Sequence, residues 1–161
     1  MRRALLIGIN NYPGDLRLGG CIEDINSLKN AIERHGNGEK NFGVKLMKDV
    51  QTSKEIMDGV KELFHDDADV ALFYFSGHGY VNTTGAELVT PNDISTYGSY
   101  HKGVQMSDIM RVVHTSKVKN KIIILDCCHS GQIGKFDINE TSSVLDEGVS
   151  ILTACREDES A

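Results

Sequence analysis

Proline is scarce in this chain, two in 161 residues, and 40% of the residues are hydrophobic against 25% charged. Collagen-like, low-complexity and disordered classes fit that balance badly. Cysteine is also sparse. The four present, two of them adjacent at Cys127 and Cys128, fall well below the density of a disulfide scaffold, and sequence neighbours bridge each other poorly. A reducing, cytoplasmic setting is therefore expected. No apolar run approaches the ~20 residues that span a bilayer, and Met1-Arg2-Arg3 leads into only a short apolar stretch, so neither a membrane span nor a secretion signal is expected. Positive charge is in deficit, with 17 Lys and Arg against 23 Asp and Glu and a net charge of -6. That balance argues against a nucleic-acid partner and favours basic ones.

What is present is one domain's worth of alternating apolar patterns, at the roughly 100 to 200 residues per domain of compact folds. Ala4 to Ile9 reads as a first strand, stopped by the turn residues Asn10-Asn11-Tyr12-Pro13-Gly14. From Asp24, Ile25, Leu28, Ala31 and Ile32 recur at helical spacing until His35-Gly36. Val44 to Met47 is a second strand. Thr52 and Glu55 have capping-box spacing ahead of an apolar face of Ile56, Val60, Leu63 and Phe64. Val70 to Phe75 and Lys121 to Leu125 are nearly continuous in apolar character, as in strands covered on both faces. Between them, Tyr80-Val81 and Glu87-Leu88-Val89 flank Asn82-Thr83-Thr84-Gly85 as a hairpin, and a helix starts near Ser107. Residues 131–148 lack periodicity, and Val149 to Thr153 forms a fifth strand. Strands alternating with helices imply an α/β fold with a mainly parallel sheet, whose reactive groups gather beyond the strands' carboxyl ends.

Two groups with nucleophilic chemistry stand at such ends. His78, between Gly77 and Gly79, follows one buried strand, and Cys128 follows another. A cysteine at its ordinary pKa of about 8.5 is only a few per cent thiolate near neutrality, so a neighbouring imidazole is what would activate it. The glycines leave room beside the histidine, and backbone N–H groups of Gly79 and Cys128 are candidates for an oxyanion hole.

Tyr74-Phe75-Ser76-Gly77-His78-Gly79 and Asp126-Cys127-Cys128-His129-Ser130-Gly131 resemble the two catalytic motifs of the caspase-like cysteine peptidases, in the metacaspase and orthocaspase branch. The separation of 50 positions between His78 and Cys128 is similar to that known for caspases. Leu6-Ile7-Gly8-Ile9-Asn10 and Leu18-Gly19-Gly20-Cys21-Ile22-Glu23-Asp24 resemble the family's first strand and the loop after it. The resemblance implies a caspase-like three-layer sandwich over residues 1–161, lacking its C-terminal helix and strand. A C-terminal subunit or fused domain would then be a partner. It further implies that Cys128 is the nucleophile and His78 the base. Asp24 and Asp126, with Cys21 and Ser76, would line the pocket for the side chain before the scissile bond. The substrate would be a protein or peptide with arginine or lysine there, since a carboxylate ~4 Å from a guanidinium is worth about 4 kcal/mol at an effective dielectric near 20, before desolvation. The motif around Cys128 lacks the Gln-Ala-Cys context of animal caspases. No cofactor is required. Calcium is an optional activator, although no spaced run of carboxylates marks an ion-binding loop. Lys135 is the expected position of self-cleavage.

Other readings stay open. Asp24 also reads as a helix N-cap and Asp126 as a strand-end cap or turn former. Cys21, Cys127 and Cys155 read as small buried hydrophobes, His101 and His129 as loop residues, and His114 as a helix-end residue. A zinc site from Cys127, Cys128, His129 and His78 fits poorly, because adjacent cysteines do not converge on one ion. A catalytically silent scaffold or partner-binding module keeps the fold without the chemistry. Nucleotide binding has no support, since the loop after the first strand lacks both glycine-rich phosphate fingerprints.

Overall fold

The computed structural model describes residues 1–82, 85–94, 102–127 and 148–154. Five strands, β1 (Arg2–Gly8), β2 (Gly43–Lys48), β3 (Val70–Gly77), β7 (Asn120–Cys127) and β8 (Val149–Ala154), form one sheet in the order β2-β1-β3-β7-β8. Every pairing in it is parallel. A small antiparallel sheet of β4 (Gly79–Asn82), β5 (Gly85–Leu88) and β6 (Val104–Gln105) lies between β3 and β7 in the chain. The helices are α1 (Cys21–Ile32), α2 (Ser53–Phe64) and α3 (Met106–Thr115), with short 3₁₀ turns at Gly14–Leu16 and Pro91–Asp93.

Side chains alternate across a strand, so each central strand feeds two cores. Leu5, Ile7, Phe73, Phe75, Ile123, Leu125 and Cys127 join Ile56, Val60, Ile109 and Val113 on the face covered by α2 and α3. Ala4, Leu6, Leu72 and Tyr74 join Ile25 on the face covered by α1, with Ile22, Leu28 and Ile32 packed against them. Helix, sheet and helices make the three expected layers. The close approach of α1 to the sheet needs Gly8, where a Cβ would lie 2.5 Å from the Cys21 carbonyl oxygen.

Most elements fall where the sequence pattern puts them. The helix expected from Asp24 begins at Cys21, with Gly20 as its N-cap, so Asp24 is a first-turn residue and not the cap. β6 is a two-residue strand too short to carry any periodicity. Among the described residues, no helix is long and apolar enough to cross a membrane.

α2 starts with the anticipated capping box. Thr52 Oγ1 accepts from the Glu55 N–H at 3.3 Å, and a Glu55 carboxylate oxygen accepts from the Thr52 and Gln51 N–H groups at 2.9 and 3.0 Å. The Thr52 hydroxyl, foremost, and these N–H groups hold the Glu55 carboxyl below its usual value. A depressed carboxyl contributes stability that is present above the unfolded value and lost as pH falls through the folded one. Thr52→Ala is therefore expected to cost about 1 kcal/mol at pH 7, read by urea denaturation, with the gap from wild type narrowing below the usual glutamate range. A gap that widens on acidification would contradict the cap.

Candidate active site

The carboxyl ends of β1, β3 and β7 meet at one rim of the sheet, where Gly8 is in register with Ser76, Ser76 with Asp126, and Gly77 with Cys127. His78 follows β3 directly and is buried. The loop after β1 crosses this rim, tied to β3 by the Ile9 N–H donating to the Ser76 carbonyl at 3.0 Å.

Two contacts from that loop hold the imidazole. His78 Nε2 lies 2.7 Å from the Leu16 carbonyl oxygen. A carbonyl only accepts, so a hydrogen sits on Nε2, and in the neutral imidazole Nδ1 is then the nitrogen with the lone pair. Nδ1 is buried and has no hydrogen-bond partner among the described residues. Such an atom is an unused proton acceptor. Tyr12 supplies the second contact. Its hydroxyl accepts from the His78 N–H at 2.9 Å and donates to the Val89 carbonyl at 2.8 Å, while its ring lies 4.4 Å from the imidazole. Burial holds the Tyr12 phenol well above its ordinary range, outweighing the His78 N–H that points at it, so the hydroxyl remains a donor. The Val89 N–H closes the arrangement on the His78 carbonyl at 3.0 Å. Gly77 is required here, because a Cβ on it would meet the Tyr12 hydroxyl at 2.6 Å.

A second cluster occupies the α1 side of the same rim. Buried Ser76 donates through Oγ to Asp24 Oδ2 at 3.1 Å, and the Tyr74 hydroxyl donates to Asp126 Oδ2 at 3.2 Å. Burial first, then the carboxylates of Asp126 and Asp24, hold the Tyr74 phenol above its ordinary range. Both carboxylates thus approach one tyrosine from two elements, α1 and β7. Both are half-buried, and neither has an ion-pair partner among the described residues. A pair of acids held by neutral donors can receive a cation.

The structure brings together His78, Ser76, Asp24 and Asp126 of the expected site residues. Gly79 opens β4 beside them. Cys21 is 1% exposed, with its N–H donating to Asn10 Oδ1 at 3.0 Å, so its thiol offers no surface to a ligand. Cys127 packs in the α2–α3 core, and His114 lies in the last turn of α3. Cys128, Lys135, His101, His129 and Cys155 lie outside the described residues. Among the described residues, no three His, Cys, Asp or Glu side chains gather as a metal site. Tyr12 and the Leu16 carbonyl were not expected. An aromatic inside a run of turn residues was the available signal for Tyr12, and a backbone oxygen has none.

Comparison with known proteins agrees with this architecture. The family model for the caspase domain matches residues 1–160. The chain belongs to the caspase-domain family. Its relatives include Metacaspase-8 of Arabidopsis thaliana, 31% identical over 151 residues that cover 81% of this chain and 37% of that protein. Metacaspase-7 of the same plant is 33% identical over 141 residues, covering 81% of this chain and 35% of the relative. Metacaspase-1 of Candida albicans is 29% identical over 159 residues, covering 82% and 34%. This caspase-domain chain therefore spans little more than a third of the curated relatives it matches.

The bracing of His78 makes a direct prediction. Tyr12→Phe keeps the ring and strands the buried His78 N–H and Val89 carbonyl, so it should destabilise the domain by about 1–3 kcal/mol in urea denaturation. A change below about 0.5 kcal/mol, the size of an ordinary surface substitution, would mean that Tyr12 is only a space-filler.

Proposed function

We propose that this caspase-domain chain is the catalytic core of a cysteine endopeptidase that cleaves after arginine or lysine, with Cys128 as nucleophile and His78 as base. The observation that carries this is the buried, unpartnered Nδ1 of His78, whose other nitrogen is engaged by the Leu16 carbonyl. Gly77 and Cys127 are register partners, and consecutive Cα atoms lie ~3.8 Å apart, so Cys128 begins one residue from that pair.

The chemistry follows from those groups. His78 Nδ1 takes the Cys128 thiol proton, and the thiolate attacks the scissile carbonyl carbon, moving its π electrons onto oxygen. The Gly79 and Cys128 N–H groups receive the oxyanion. As the C–N bond breaks, Nδ1–H protonates the departing amine and leaves a thioester on Cys128. Water, deprotonated by Nδ1, attacks the thioester, and the thiol recovers the proton as the acid product leaves. Throughout, Leu16 accepts from Nε2–H, which keeps the ring from turning. A neutral carbonyl does the orienting work that a carboxylate does in serine-type triads.

Specificity is assigned to Asp24 and Asp126. A basic side chain entering between them would gain two attractions of about 4 kcal/mol each before desolvation, and an aspartate would be repelled. Ser76 and Tyr74 hold the two acids in place. Lys135 is a substrate of the same specificity within the chain, and calcium is an optional activator.

The test compares fluorogenic peptides that differ only before the cut, with and without calcium. Arginyl or lysyl peptides should be turned over and aspartyl ones not. Cys128→Ala should abolish turnover and any break after Lys135, and His78→Ala should cost about 10²–10⁴ in rate. Asp126→Asn should lower kcat/KM for the arginyl peptide by about 10- to 100-fold. Preference for the aspartyl peptide would overturn the specificity, and turnover that survives Cys128→Ala would overturn the nucleophile.

A further inference from the structure

Asp49, one residue beyond β2, has φ of 49°, the one positive value at a non-glycine among the described residues. L side chains rarely adopt that conformation, and Asn and Asp tolerate it best. Outliers of this kind persist where the surroundings over-determine them, and they cluster near functional sites.

The surroundings here are a set of hydrogen bonds in which the carboxylate is bound to a single loop. Asp49 Oδ1 accepts from the Asn10 and Asn11 N–H groups at 2.8 and 3.0 Å, and Oδ2 accepts from Asn11 Nδ2 at 2.8 Å. Its own N–H donates to the Gly8 carbonyl at 2.9 Å, and its carbonyl accepts from Gln51 Nε2 at 2.6 Å. The carboxylate makes no ion pair among the described residues, and these three hydrogen bonds all come from neutral N–H donors. Asn10 passes the restraint on. Its carbonyl accepts from the Tyr12 and Leu18 N–H groups, each at 3.0 Å, and its Oδ1 accepts from the Cys21 N–H. The loop so closed carries both groups that hold His78, the Tyr12 hydroxyl and the Leu16 carbonyl.

We propose that Asp49 is a positioning residue that fixes the tautomer of His78 from outside the site, by clamping residues 10–18 through Asn10 and Asn11. Its importance for catalysis rests on His78 being the base. The clamp itself does not.

Asp49→Gly isolates the carboxylate, because glycine accepts a positive φ without strain. Asp49→Asn keeps an acceptor oxygen and tolerates the same backbone. The probe is the imidazole ¹⁵N spectrum of His78 in the full chain, recorded in a Cys128→Ala background near pH 8, with no substrate. The parent should show His78 protonated at Nε2, Asp49→Gly a mixture of both neutral tautomers, and Asp49→Asn the parent pattern. With Cys128 restored, Asp49→Gly should lower kcat at least tenfold while KM for an arginyl peptide changes less than threefold. A single Nε2–H tautomer in folded Asp49→Gly would overturn the clamp even if the enzyme is active. Equal scrambling in Asp49→Asn would overturn the role of the acceptor oxygen. Scrambling in Asp49→Gly without peptidase activity in any form would leave the clamp and remove the peptidase assignment.

Discussion

The hydrogen bond from His78 Nε2 to the Leu16 carbonyl is the constraint on which the site depends. An imidazole has two nitrogens, and only the one left without a proton can act as a base. By committing Nε2 to a carbonyl, the loop after β1 leaves Nδ1 bare, and burial keeps water from competing for it. The rest of the local structure serves that contact. Gly77 makes room for Tyr12, Tyr12 pins the His78 backbone, and Asp49 holds the loop that presents Leu16. The imidazole is thus oriented from β1 and β2, on the opposite side from β7 in the sheet order.

The sheet puts the two halves of the candidate site on different sides. Alternation along β3 and β7 sends Phe75, Leu125 and Cys127 into the core beneath α2 and α3, and sends Tyr74 and Ser76 to the α1 side, where Asp24 and Asp126 meet them. A carboxylate pair placed this way is separated from the α2–α3 core by the sheet itself. The tyrosine and serine donors are neutral, so they hold the acids without cancelling their charge. An arginine in place of either donor would pair with an acid and remove the field that a basic ligand would meet.

Much of this was legible in the chain. β3 and β7 announced themselves as apolar runs because both faces are covered, and α2 because Thr52 and Glu55 sit at cap spacing over an amphipathic face. The hairpin partners Tyr80 and Glu87 flank turn residues and do pair. His78, Ser76, Asp24 and Asp126 were readable through the motifs they share with the caspase family. Strand order was not, since a parallel sheet is joined by crossovers and nothing local records which strand sits beside which. The two-residue β6 was too short for any period. Leu16 acts through its backbone oxygen, which any residue could supply, and Asp49 through a dihedral angle that its residue type permits without requiring.

The central claim is that His78, held in one tautomer by the loop after β1, takes the proton of Cys128. The rate at which Cys128 is alkylated by a small neutral reagent between pH 6 and 9 measures it without any peptide substrate. The account predicts fast alkylation of Cys128 near neutral pH, falling at least tenfold in His78→Ala and then rising only toward the pH where an ordinary thiol ionises, ~8.5. Equal rates in the two proteins, with Cys128 no more reactive than Cys155, would contradict it.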